Sequence, residues 1–252
     1  MATAISMNNR DVVFWAAYLK GNWRKGITNL EYIMQNPETA QEFLDNGRGL
    51  QLIYGITDRN SAALIAVIEK YGYADPAITQ YFNMSFGWNY VDMADIAASS
   101  TAMAAVAASS TAMTAVINTP TALNAVVSSS TAMTAIAASS TARSAVEVSA
   151  IAISAINARP QITVEYASGT VNTSGTFRTG YAWVYQAHSG YNSAGNTVVS
   201  TTITGLLSGN MAVSATTYSD INRFANNPGW SGPGAYYDSG VANRPAAKLI
   251  VW

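Results

Sequence analysis

A ten-residue cycle of polar and apolar positions fills the middle of the chain. It runs from Ser99 to Ile156 as SSTAMAAVAA, SSTAMTAVIN, TPTALNAVVS, SSTAMTAIAA, SSTARSAVEV and a divergent sixth copy, SAIAISAI. A fixed period of this kind is typical of architectures in which one unit cannot bury its own apolar face and neighbouring units bury it by stacking. The pattern therefore predicts a stacked structural element.

The cycle is incompatible with one continuous helix. Ten residues at about 100° each rotate a helix by about 1000°, so equivalent residues shift by about 80° from copy to copy. Pro120 stands where the other complete copies have serine, and proline is tolerated at the first residue of a helix but not in its interior. We therefore predict a helix of about two turns in each copy, followed by a bend. The predicted N-caps are Ser99, Ser109, Thr119, Ser129 and Ser139.

Apolar residues four and seven positions after each cap share one face of the predicted helix. Helices this short are marginal alone in water, so we expect them to stack on one another or on a partner chain. A partner chain of the same kind would make the protein a homo-oligomer, with a trimer favoured. The predicted packing seam consists of Met103, Val106, Met113, Val116, Leu123, Val126, Met133 and Ile136.

Helical signals precede the repeat. Apolar residues cluster at helical spacing in residues 12–19 and 62–68. Proline follows Asn36 and Asp75, as it does at helix starts. These signals predict a helical docking domain over residues 1–92, with the decapeptide repeats over 93–157.

The period changes after Pro160. Runs rich in Thr, Val, Tyr and Trp are separated by Gly, Ser and Asn clusters, which indicates β-strands and turns. We predict an antiparallel β-sandwich over residues 158–252 and an α+β fold for the whole chain. Residues 248–252 form a last apolar run, which we expect to be paired in the sheet because chain ends fray unless they are bound.

The chain carries little charge: charged residues make up 11% of it and the net charge is −1. A soluble monomer usually carries about 25% charged residues, so this composition suits a surface covered by neighbouring proteins. This composition provides no excess of positive charge that would attract nucleic acid. We see neither a secretory signal nor an apolar stretch long enough for a bilayer, and we expect synthesis in the cytoplasm without membrane insertion.

Residues for catalysis are sparse. The single histidine, His188, could pair with Asp220 or Asp238, but the chain has no GxSxG nucleophile motif. A glycosidase needs two carboxylates across a bond, and Glu165, Asp220 and Asp238 lie far apart in the sequence. The absence of cysteine excludes disulfides and thiolate metal sites. We expect no enzymatic activity, no metal and no cofactor.

Aromatic residues offer a binding surface in the C-terminal region, because flat rings stack on sugars or anchor protein partners. The candidates for partner or glycan contact are Trp230, Tyr236, Tyr237 and Tyr191. Alternation places Tyr181, Trp183 and Tyr185 on one face of a strand, where the core interpretation is favoured over a binding face.

The decapeptides SSTAMTAV and SSTAMTAI resemble the Ser/Thr-Ala-Met-x-Ala-Val repeats of fibre, tail and other virion proteins of tailed bacteriophages. The order of helical start, repetitive middle and β-rich end is also similar to that of such proteins, in which one end docks on the particle and the other faces outwards. The resemblance implies a structural virion component with other virion proteins as partners, and no catalytic residues to transfer. The chain is short for a long fibre, which leaves an adaptor, head fibre or decoration protein.

Two alternatives remain open. A carbohydrate-binding module on a helical stalk would recognise a host surface glycan through the loop aromatics. An ice-binding rod would need Thr101, Thr111 and Thr121 in one row, which requires each copy to return the chain to the same place.

Overall fold

The computed structural model describes residues 23–55, 61–165, 175–189, 201–215, 217–231 and 246–252. The protein is α+β, as predicted. It divides into two compact units, Met1–Ala145 and Val146–Trp252. The helical N-terminal region and most of the repeat thus share one unit, whereas the sequence predicted separate zones for them.

The described helices, numbered in chain order, fall into an N-terminal group and a repeat group. The first group comprises α1 (Trp23–Met34), α2 (Pro37–Asn46), α3 (Arg48–Tyr54), α4 (Ser61–Lys70) and α5 (Ala74–Phe86). The second comprises α6 (Met93–Ala98), α7 (Ser100–Ala108), α8 (Ser110–Asn118), α9 (Pro120–Ser128), α10 (Ser130–Ala138), α11 (Ser140–Val148) and α12 (Ala150–Asn157).

The predicted N-terminal helix starts are partly confirmed. Asn36 caps α2, because its side-chain oxygen accepts a hydrogen bond from the Glu38 amide at 2.9 Å. The cap inferred at Asp75 is wrong: α5 begins at Ala74, two residues before Pro76, and the Asp75 carboxylate instead accepts the Met93 amide at 3.0 Å. The apolar run at 62–68 lies in α4 as expected, whereas residues 12–19 lie outside the described residues.

The repeat forms the short capped helices that its pattern predicts. Helices α7 to α10 each span nine residues, and Ser99, Ser109, Thr119 and Ser129 occupy their N-cap positions, where the three serine side chains accept the capping hydrogen bond. Ser139 likewise accepts the Ala142 amide at 3.3 Å. The array also begins earlier than the sequence suggested: in α6, Met93, Ile96 and Ala97 are buried in the same register as Met103, Val106 and Ala107.

The helices wind into a solenoid with three helices per turn. Helix α8 is bent by 103° from α7, and helices three positions apart stack on each other, α9 on α6 and α10 on α7. At the bends, which we call corners, the Ser129 hydroxyl donates to the Ala97 carbonyl oxygen and the Ser139 hydroxyl to the Ala107 carbonyl oxygen, each at 2.6 Å. These carbonyls belong to the last turns of α6 and α7 and have no partner inside their own helix.

The C-terminal unit contains one antiparallel sheet. Its strands are β1 (Ile162–Glu165), β2 (Gly175–Thr176), β3 (Tyr181–His188), β4 (Thr201–Leu206), β5 (Met211–Val213), β6 (Ser219–Ser231) and β7 (Ala246–Val251), in the order β1-β7-β3-β6-β4-β5 with β2 also on β6. The antiparallel β-region and the pairing of its last strand are confirmed. The described strands pair continuously in a single sheet rather than in the two separate sheets of a sandwich.

The long strand β6 explains this continuity. Its first part pairs with β3 and its last part with β4 and β2, so hydrogen bonding passes from one side of the sheet to the other. The β4 register shifts at Gly205, which has φ 76°. A Cβ there would lie 2.7 Å from the carbonyl oxygens of Asn226 and Asn227, so this close approach requires glycine.

Both faces of the sheet bury apolar residues. One connected cluster includes Val184, Ile203, Ile221 and Leu249 from four different strands. On strand β3 the neighbouring Trp183, which points to the opposite face, is also fully buried. The sheet therefore has core packing on both sides.

Candidate functional site

The predicted seam is closed within the chain. Its eight residues, from Met103 to Ile136, are all buried, with at most 4% of each exposed. The helices stack on one another, which is one of the two outcomes expected from their shortness. These seam residues are consequently not accessible to a partner chain.

The third copy departs from the repeat where it meets the N-terminal helices. The Thr119 hydroxyl does not cap α9 but donates to the Ala115 carbonyl oxygen at 2.8 Å. Glu69 of α4 supplies the cap instead: its carboxylate accepts the Thr121 amide at 2.8 Å and the Thr121 hydroxyl at 2.9 Å. A carboxylate at a helix N-terminus is also favoured by the helix dipole. The irregular sequence TPT is therefore a docking point for α4.

The last copies depart from the repeat where they meet the sheet. Glu147 stands in the slot that is apolar and buried as Ala107, Ile117, Val127 and Ala137 in earlier copies. Its carboxylate accepts the Phe224 amide at 2.9 Å and lies 3.6 Å from the Arg223 guanidinium, with only 8% of the Glu147 side chain exposed.

One copy later, Asn157 occupies the same slot and again binds the sheet. Its oxygen accepts the Trp183 indole N–H at 2.9 Å, and its amide nitrogen donates to the Asn222 side-chain oxygen at 3.0 Å. Together with Glu147, this contact ends the apolar stacking and attaches the last helix to strands β3 and β6. The sequence offers one signal for this role, an acid in an almost uncharged repeat, but no local pattern identifies its partner.

The structure changes the view of the aromatic candidates. Trp230 was expected in an exposed loop, and this is wrong: it lies in β6 with 6% exposed and packs edge-on against Phe177, with 4.4 Å between ring centroids. The other three candidates, Tyr191, Tyr236 and Tyr237, lie outside the described residues. In β3, Trp183 is buried as the core interpretation predicted, and a bulge at Tyr185 interrupts the strict alternation.

A hydrogen-bonded apolar connection between α5 and α6 was not predicted from the sequence. The Asn83 side chain binds both the amide and the carbonyl oxygen of Tyr90, at 2.9 and 2.8 Å. The Tyr90 hydroxyl donates to the Ser99 hydroxyl oxygen at 2.9 Å, which ties the loop to the first corner of the solenoid. Despite these bonds, Val91 is 82% exposed.

Further apolar side chains surround Val91 in the sequence and reach the surface in part. Met84 is 39% exposed, and the half-buried rings of Phe86 and Trp88 stack with 4.4 Å between centroids and 16° between planes. The alternating aromatics of FGWNYV next to a helix-ending glycine were the available signal. We call the end of α5 together with the connection that follows it, residues 84–91, the apolar loop.

Asp75 binds the amide of Met93, two residues after this loop, and the surroundings of its carboxyl group raise its pKa. Burial raises the pKa of Asp75 above the usual range of a carboxyl group; the hydrogen bond from the Met93 amide acts against this rise, and the Asp92 charge adds to it. Asp75 thus holds the start of α6 at the cost of a partly desolvated charge.

The residues weighed for catalysis do not converge among the described residues. His188 Nδ1 lies 2.9 Å from the Ser189 carbonyl oxygen, and its ring packs edge-on against Tyr218. The Asp220 carboxylate accepts a hydrogen bond from the side-chain amide nitrogen of Gln186 at 2.7 Å. Asp238 lies outside the described residues, and so does the Glu165 side chain. Within the described ranges no three His, Asp or Glu side chains are grouped as metal ligands would be.

The threonines of the repeat do not form one row. With three helices per turn, Thr101 and Thr131 fall on one side of the solenoid, Thr111 on the next and Thr121 on the third. Thr121 is moreover bound to Glu69. The flat threonine face that ice binding requires is therefore divided over three sides.

Comparison with known proteins provides no family assignment. No protein-family model matches the chain, and no curated protein matches it. Over the part of the chain that the structure describes, no single helix is long and apolar enough to cross a membrane; α7 and α8 would pass together by length and composition, but the chain bends between them.

Proposed function

We propose that this protein is a structural component of a bacteriophage particle, such as a tail or head fibre, adaptor or decoration protein, that acts by protein–protein assembly. The observation that carries the proposal is the decapeptide solenoid. It is an almost uncharged array that closes its own core, binds an N-terminal helix through its third copy, and binds sheet residues through Glu147 in its fifth copy. Such an array serves as a spacer or collar, and virion localisation follows from the resemblance of its repeats.

The closed seam changes the reasoning about assembly. Homo-oligomerisation, with a trimer favoured, was inferred from seams that need partners, but those residues are buried inside one chain. Contacts with other virion proteins or with further copies must therefore use other surfaces. The apolar loop fits this role in the first unit, since Val91 is exposed while the neighbouring Tyr90 is held by hydrogen bonds, and preorganised apolar side chains are effective anchors.

A second exposed pair lies in the C-terminal unit. Val148 is 82% and Ile151 is 53% exposed. The earlier copies carry alanine, asparagine or serine at the first position and threonine at the second, so the change to apolar residues is specific to the end of the array. Exposed apolar side chains that the fold does not need support an external contact.

The glycan-binding alternative loses one of its residues, because the buried Trp230 offers little surface for a sugar. Its remaining residues are Tyr191, Tyr236 and Tyr237. A glycan array probed with the full chain and with Tyr236→Ala tests it: binding that the substitution removes would favour this alternative over a purely structural role.

The proposed function is tested by quantitative mass spectrometry and immunogold electron microscopy of purified particles made by the genome that encodes this chain. We expect the chain in fixed stoichiometry with the other particle proteins and gold at one defined position. Its absence from particles, while it is abundant in the producing cells, would overturn the proposal. A variant with Val91→Ser and Val148→Ser should fold normally but be depleted from particles, whereas the surface control Ala104→Ser should be incorporated like the original chain.

A further inference from the structure

The contacts that join successive turns of the solenoid do not depend on which copies meet. At two corners a cap serine donates to a backbone carbonyl oxygen 32 residues earlier, Ser129 to Ala97 and Ser139 to Ala107, with the same 2.6 Å distance, whereas Ser149 in the divergent sixth copy caps its own helix without such a donation among the described residues. Every complete copy offers such a backbone carbonyl, and every complete copy except the third has the serine. The joint between turns is therefore generic.

The packing between turns is equally interchangeable. The alanine three residues after each cap is at most 2% exposed in all six copies: Ala102, Ala112, Ala122, Ala132, Ala142 and Ala152. The next slot accepts methionine in three copies and leucine in the third, and all four side chains are buried. Similar volumes at equivalent positions allow one copy to replace another at small cost.

Apart from the Arg143 guanidinium of the fifth copy, which donates to the Ala137 carbonyl oxygen at 2.7 Å, the contacts that are specific to one copy lie on either side of the fourth. The third copy binds Glu69 through Thr121, and the last two bind the sheet through Glu147 and Asn157. The helix of the fourth copy, α10, packs on α6, α7 and α9, which are all helices of the array. An added copy next to it would find generic neighbours and leave the specific contacts in place.

We infer that the array is a length-setting spacer that can be extended in whole ten-residue copies at the fourth copy, and that three copies add one full turn. Neighbouring turns are packed helices, whose axes lie about 8–10 Å apart, so one added turn lengthens the array by about 10 Å. The inference goes beyond the proposed virion role and does not rest on it, because it concerns the repeat alone.

The test uses the full chain with SSTAMTAIAA inserted before Ser129, once or three times. The matched controls are a five-residue insertion, SSTAM, and a scrambled ten-residue insertion at the same point. Because the chain has no cysteine, Ala104→Cys and Thr134→Cys introduce a single pair of spin labels on α7 and α10, which stack directly on each other. Pulsed electron spin resonance then measures the distance between them.

We expect both whole-copy insertions to unfold cooperatively in urea with midpoints at or above that of the original chain. The three-copy insertion should lengthen the label distance by about 10 Å without broadening its distribution. Both controls should lower the midpoint. Three results would overturn the inference: failure of the three-copy chain to fold, an unchanged or broadly distributed distance, or a five-residue insertion tolerated as well as the ten-residue one.

Discussion

Replacing Ser129 with alanine should cost more stability than the loss of an ordinary helix cap. The Ser129 hydroxyl oxygen accepts the Ala132 amide at 3.2 Å, and the hydroxyl donates to the Ala97 carbonyl oxygen of the turn below at 2.6 Å. Removal of a serine cap costs about 1 kcal/mol. A buried carbonyl left without a partner adds about 1–3 kcal/mol, and Ala97 is 1% exposed. We therefore expect Ser129→Ala to lower the free energy of unfolding by about 2–4 kcal/mol.

The same chain supplies graded controls. Ser109 makes the corresponding cap to the Ala112 amide at 3.2 Å but, among the described residues, shows no donation to an earlier turn, so Ser109→Ala should cost only about 1 kcal/mol. Ser130→Ala changes an exposed residue beside the corner and should stay within about 0.5 kcal/mol of the original chain. Ser129→Thr keeps the hydroxyl and should recover most of the loss.

The assay is urea unfolding of the full chain, followed by far-ultraviolet circular dichroism, with the slope compared between variants so that midpoint shifts report stability. The reasoning would be refuted if Ser129→Ala and Ser109→Ala cost the same. That result would mean that the hydroxyl-to-carbonyl bond between turns contributes nothing beyond the cap.

Three further predictions concern the contacts of the array with Glu69 and with the sheet, and the carboxylate that binds the start of α6. Glu69→Ala removes the external cap of Thr121 and should lower the urea midpoint by an amount equivalent to about 1 kcal/mol, whereas Glu69→Gln should retain part of it; equal loss would contradict a capping role. Glu147→Ala leaves a strand amide and a guanidinium without their partner and should cost about 3–5 kcal/mol by the same unfolding measurement, and a loss below 1 kcal/mol would exclude the contact as an anchor. The pKa of Asp75 is raised in the folded chain, so the folded state keeps the Asp75 proton to a higher pH than the unfolded state does. The contribution of Asp75 therefore makes the free energy of unfolding fall as the pH rises from the usual carboxyl pKa to the raised value. Asp75→Asn should flatten that decline in urea titrations across this pH window, and an unchanged pH dependence would refute the assignment.

Sequence reasoning succeeded where local rules act and failed where a distant partner overrides them. Helix starts at Ser99, Ser109 and Ser129 follow from capping chemistry, and the structure confirms them. Asp75 looked like a cap by the same rule, but its carboxylate binds the start of α6 instead, a contact 18 residues away that no local pattern shows.

The longest strand was missed for a similar reason. Strand β6 contains Asn226, Asn227, Pro228 and Gly229, which are typical turn residues, and Asn227 has φ 51°. The strand persists because its neighbours accommodate it: the Asn227 side chain accepts the Gly180 amide at 2.7 Å, and Gly205 opposite leaves room for the bent backbone. The wrong expectation that Trp230 is exposed has the same origin, because these turn residues implied a loop around its ring.

The sequence by itself determined the period, the start and length of the helices in the complete copies, the apolar slots and the change from helix to strand after Pro160, because these depend on interactions between residues a few positions apart. Only the tertiary structure decided how the copies pair. The three-per-turn winding depends on the bend at each corner, and the corner serines find their carbonyl partners 32 residues away. Tertiary contacts also decided what the irregular copies do, since Thr121 and Glu147 acquire their roles from Glu69 and Phe224, which lie 52 and 77 residues away. A pattern that repeats every ten residues cannot predict contacts between residues so far apart in the chain.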